Sequence, residues 1–84
     1  MTGQPKMAVS LTEEIPGYPR IFLVKGTGRQ GAEIEVTVEF NHRGQISHAF
    51  QHEGPPLTSG GGYMAPERIP PEIKQAAWDA WEKR

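Results

Sequence analysis

Residues 32–40 read Ala32-Glu33-Ile34-Glu35-Val36-Thr37-Val38-Glu39-Phe40, and this stretch decides the fold class. Ile34, Val36, Val38 and Phe40 alternate strictly with Glu33, Glu35, Thr37 and Glu39. A period of two puts successive side chains on opposite sides of a strand, so one row is apolar and β-branched or aromatic while the other faces water. That is the pattern of an antiparallel strand with one covered face.

The neighbouring segments fit the same sheet. Upstream, Arg20 to Lys25 holds the consecutive apolar residues Ile21-Phe22-Leu23-Val24. Such a run suggests a central strand covered on both faces. Further upstream, Met7, Val9 and Leu11 alternate with Ala8, Ser10 and Thr12, which predicts a shorter half-buried strand. Glu13 to Pro19 ends it with two prolines and a Pro-Gly turn signal, and Met1 to Lys6 reads as a frayed tail. Downstream, Asn41 to Gln45 is a hairpin turn in which Gly44 supplies a positive φ. A fourth strand follows over Ile46 to Glu53, with Ile46, His48, Phe50 and His52 on one face. Residues 54–69 carry Pro55-Pro56, Ser59-Gly60-Gly61-Gly62 and Pro66, a composition that predicts a long mobile loop.

Residues 70–84 predict a helix. Pro71 suits a first helical position, Glu72 the positive N-terminal end, and Lys83 with Arg84 the negative C-terminal end. Ile73, Ala77, Ala80 and Trp81 share one face, with Trp78 at its margin beside Lys74. A helix of this length is marginal alone and must lie on the apolar row of Val36, Val38 and Phe40. The expected fold is therefore α+β, an antiparallel meander of three or four strands with one C-terminal helix packed on one face.

Composition narrows function more than it names one. The chain has 84 residues, no cysteine, and nine basic against ten acidic residues, for a formal net charge of −1. One small domain is all this length allows, and its core is thin. Without cysteine there is no disulfide framework and no thiolate-held metal. The longest apolar run has four residues, whereas a membrane-spanning helix needs roughly 20. The expected location is cytoplasmic, with no membrane partner.

Residues 26–31, Gly26-Thr27-Gly28-Arg29-Gln30-Gly31, match a phosphate-binding glycine string. A strand follows them, however, and not the helix whose N-terminal amides hold a pyrophosphate, so the string reads as a hairpin loop. His42, His48 and His52 are the only histidines. His48 and His52 stand about 13 Å apart along a strand, too far for one ion. Ser10, Ser47 and Ser59 sit in no nucleophile elbow, and glutamates facing water have nothing to raise their pKa. No cofactor or metal is expected, and the expected class is not an enzyme.

Binding remains. Trp78 beside Lys74 is a candidate anchor for a partner, because one helix face does not readily hide two tryptophans. The competing reading places both in the core, with Trp78 covered by the loop around Tyr63 and Met64. Arg29 stands at a loop tip. Glu33, Glu35 and Glu39 repeat at about 6.6 Å, near the step between phosphates of one nucleic-acid strand. The leading expectation is a non-catalytic protein-binding module acting through Lys74, Trp78 and the two glycine-bearing loops. A second is a small inhibitor, of the kind carried by bacteria or phages, that offers Glu33, Glu35 and Glu39 to the basic groove of a nucleic-acid-handling enzyme. A third is weak nucleic-acid binding through Arg20, Lys25, Arg29 and Arg43, and an edge strand or the Trp78 patch also permits a homodimer.

Overall fold

The computed structural model describes residues 6–84. Five antiparallel strands follow one another in chain order, each paired with its sequence neighbours. They are β1 (Ala8–Glu14), β2 (Ile21–Thr27), β3 (Glu33–Phe40), β4 (Ile46–Glu53) and the two-residue β5 (Tyr63–Met64). A 3-10 turn over Pro66–Arg68 leads into α1 (Pro71–Lys83), which packs against one face of the sheet. The fold is the expected α+β meander, with one strand more than the alternation predicts. The tail expected over residues 1–6 lies, apart from Lys6, outside the described residues.

The core forms between α1 and that face. Ile34, Val36, Val38 and Phe40 from β3 are all buried, as their alternation requires. Phe22 and Val24 from β2, Ile46 and Ala49 from β4, and Ile73 and Ala77 from α1 close around them. Trp81 stacks on Phe40 with ring centroids 4.6 Å apart and meets Phe22 edge-on at 6.3 Å. The Arg84 guanidinium lies 3.6 Å from the Trp81 ring centroid. The helix end is thus fastened by an aromatic stack with a cation over it.

Three β-bulges account for where the alternation misleads. In β1 the register shifts between Val9 and Leu11. One extra residue reverses the parity, so Val9 points to the core while Leu11 points to the opposite face, 40% exposed. The strand also continues through Glu13 and Glu14. In β4 two such shifts occur, around Ser47 and around His52. They turn Ile46, Ala49 and Gln51 inward and leave His48, Phe50 and His52 on the other face, so the row expected for Ile46 does not include it. β2 has a strand on each side, between β1 and β3, yet is covered on one face only and not on both as its apolar run suggests. Its Phe22 and Val24 are buried, whereas Ile21 and Leu23 are partly exposed on the far side.

Residues 54–69 are not a featureless loop. Met64 and Ile69 insert into the core, and β5 pairs with β4 through Ala49↔Met64 and Phe50↔Tyr63. Gln51 fastens the approach. Its Nε2 donates to the carbonyls of Glu53 (2.9 Å) and Pro55 (2.8 Å), and its Oε1 accepts the Leu57 N–H at 3.0 Å.

The two hairpin turns are tight. Between β2 and β3, the Gly28 N–H donates to the Ala32 carbonyl at 2.8 Å and Gly31 takes φ +84°. Gly26 belongs to β2 and not to that turn; a Cβ there would strike the Ala8 carbonyl oxygen. Between β3 and β4, Asn41 Oδ1 accepts the N–H groups of Arg43 (2.8 Å) and Gln45 (3.1 Å). This is the local side-chain bonding that makes asparagine a turn residue.

Candidate functional site

The face of the sheet turned away from α1 has no element of the described residues over it. Antiparallel register arranges its side chains in three rows that cross the strands. The middle row runs Glu13, Leu23, Thr37, Phe50, Tyr63 from β1 to β5. With strands about 4.8 Å apart, that row is about 19 Å long. One flanking row is Leu11, Lys25, Glu35, Glu53, and the other is Ile21, Glu39, His48. Glu33 lies opposite Thr27 at the hairpin end.

Local contacts order the polar members. His48 stacks on Tyr63 at 5.6 Å, and its Nε2 lies 3.4 Å from Glu39 Oε1. His52 Nε2 sits 2.9 Å from Thr37 Oγ1, with the Phe50 ring 5.2 Å away. A shallow depression lies over Leu23 and Thr37, edged by Glu13, Glu35, Glu53 and His52. Phe50 is 45% and Tyr63 55% exposed, although polar outer rows are usual for antiparallel sheets.

Charge is divided unevenly. This face carries Glu13, Glu33, Glu35, Glu39 and Glu53 against Lys25 alone, a formal −4. The remaining five acidic and eight basic residues of the chain make +3, and the two parts return the chain's −1. The near-neutral total conceals an acidic face on an otherwise basic protein.

The residues nominated from sequence fall in three places. Glu33, Glu35 and Glu39 share the open face, as their spacing requires. Arg29, in the β2–β3 hairpin, is turned to α1, with its guanidinium 3.7 Å from Glu72 Oε1. Lys74 and Trp78 lie at the margin of the buried face of α1, the Lys74 ammonium 5.8 Å from the Trp78 ring. Trp78 is 40% exposed, so it is not the fully covered core residue of the competing reading, and Tyr63, whose side chain stands on the open face, is 55% exposed. Leu11, Leu23, Phe50, Tyr63, Glu13 and Glu53 join this face without standing out in the sequence as candidates. The sequence carries a signal for Leu23 alone: in the run Ile21 to Val24, every second residue has to face away from the covered side.

The basic residues do not converge. Lys25 stands among the glutamates, and Arg29 is at the β2–β3 turn. Arg20, whose carbonyl accepts the Phe40 N–H at 2.8 Å, and Arg43 are at the opposite end of the sheet, about 20 Å from that turn. The glycine string closes a hairpin followed by a strand. The cavity beside it, lined by Met7, Arg29, Ile34 and Leu57 among others, measures about 200 Å³, smaller than the roughly 300–1,000 Å³ of most small-molecule sites. Among the described residues no three His, Asp or Glu side chains are placed to hold a metal ion, and no helix is long and apolar enough to cross a membrane. Comparison with known proteins finds no matching family model, no matching curated protein and no matching solved structure.

Proposed function

We propose that this chain is a non-catalytic protein-binding module whose working surface is the open face of the sheet. The observation that carries the reading is the exposure of Leu11, Phe50 and Tyr63 together on that face, in a domain whose other apolar side chains mostly close over one core. Large apolar side chains gathered outside a core are the usual mark of a partner's footprint, and aromatic residues dominate the energy of such footprints. Trp78, beside Lys74 at the margin of α1, is a separate, single exposed aromatic and a weaker anchor.

The test is co-isolation of the partner from the native cell with three forms of the full chain. Phe50→Ser with Tyr63→Ser removes the stoichiometric partner, while Trp78→Ala retains it. Retention by the double variant, with loss in Trp78→Ala, moves the binding surface to the helix.

A further inference from the structure

We infer that the open face seats a polypeptide segment bearing lysine or arginine on either side of apolar side chains; this rests on reading that face as a docking surface. The row geometry specifies the occupant. Leu23, Thr37, Phe50 and Tyr63 form a central track, with Glu13 at its β1 end. Glu35 and Glu53 flank the track on one side and Glu39 on the other, each displaced by two residues along its strand or close to it. That displacement is about 6.6 Å, within the reach of a lysine or arginine whose neighbours sit on the track. A segment lying across the strands therefore sets apolar side chains on Leu23 and Phe50 and cations on the glutamates beside them.

The same charges exclude other occupants. A phosphate backbone meets a face of −4, and two copies placed face to face set −4 against −4. Glu35 and Glu53 are directly opposite each other, a like-charge pair that weakens a sheet on its own and that an added cation relieves. Electrostatic complementarity of this kind selects the partner and speeds encounter, while the apolar track holds it.

The experiment is a fluorescence-anisotropy titration of the full chain with two labelled decapeptides, one alternating lysine and leucine, the other glutamate and leucine. The lysine peptide binds, the glutamate peptide binds about tenfold or more weakly, and the difference shrinks as salt rises from about 50 to 300 mM. Glu35→Gln with Glu39→Gln and Glu53→Gln weakens the lysine peptide about tenfold, and Phe50→Ser abolishes its binding. Equal binding of both peptides, lost in Phe50→Ser, overturns the basic-partner inference and leaves the docking face standing. Binding of neither peptide at millimolar concentration overturns both.

Discussion

Replacing Gln51 by Met removes three hydrogen bonds while nearly preserving side-chain volume, so it isolates how the segment after β4 is held. Gln51 is 8% exposed, and its amide binds the carbonyls of Glu53 and Pro55 and the N–H of Leu57. Each bond contributes about 0.5–1.5 kcal/mol, and the Leu57 N–H loses its partner inside a partly buried site, so the expected loss is about 2–3 kcal/mol. A chain of this size has a total stability of about 4–12 kcal/mol, which makes the loss a large share. At about 4–8 °C per kcal/mol, the melting temperature falls by about 10–20 °C. Urea unfolding followed by circular dichroism gives the magnitude, and amide hydrogen exchange locates it. Leu57 loses protection first, with Met64 following as β5 loosens. A variant within about 0.5 kcal/mol of the parent, with Leu57 exchange unchanged, refutes the claim that Gln51 organises residues 54–64.

Trp81→Ala strips the stack on Phe40 and the edge contact with Phe22 and costs about 2–4 kcal/mol, whereas Trp78→Ala costs about 1–2 kcal/mol; iodide quenching of the two single-tryptophan proteins ranks Trp78 as the more accessible one. Gly44→Ala costs about 1 kcal/mol or more in urea unfolding, because φ is +82° and the new Cβ lies 3.1 Å from Trp81 Nε1. Glu53→Gln removes the like-charge pair with Glu35 and raises stability by about 0.2–1 kcal/mol, an effect that shrinks in high salt. Arg29→Ala changes stability by about 1 kcal/mol, since the pair is 3.7 Å long and the guanidinium side chain half exposed, while the Glu72 Oε1 it faces is buried with no hydrogen-bond partner.

The parts of the fold legible in the sequence are those where one physical rule acts alone. The alternation through residues 33–40 continues without a bulge because β3 is paired on both sides and buried on one. Helix α1 announces itself through Pro71, Glu72, Ile73, Ala77 and Trp81, where a proline at the first helical position, the dipole and the apolar stripe agree. Parity fails wherever a bulge intervenes, because no residue type in β1 or β4 marks the extra position. That is why alternation alone sets Leu11 beside Val9, and Ile46 beside His48 and Phe50. The 54–69 segment was illegible for a different reason. Its glycines and prolines do forbid long elements, yet a two-residue strand and one 3-10 turn need little regular backbone once Gln51, Met64 and Ile69 hold them from the core.

The candidate surface was half legible for the same reason. Glu33, Glu35 and Glu39 follow from parity in an unbroken strand. Phe50, Tyr63, Glu13 and Glu53 join them only through cross-strand register, which depends on the bulges. The charge division is likewise a property of the assembled sheet, since no window of the sequence is strongly acidic and the totals nearly cancel.

The central claim is that the face opposite the helix does the binding. The most direct check is an amide chemical-shift map of the full chain with the lysine–leucine decapeptide added to saturation. The account predicts shifts centred on Leu23, Thr37, Phe50 and Tyr63, with Lys74 and Trp78 unmoved. Shifts centred on Lys74 and Trp78, with the sheet rows silent, would contradict it.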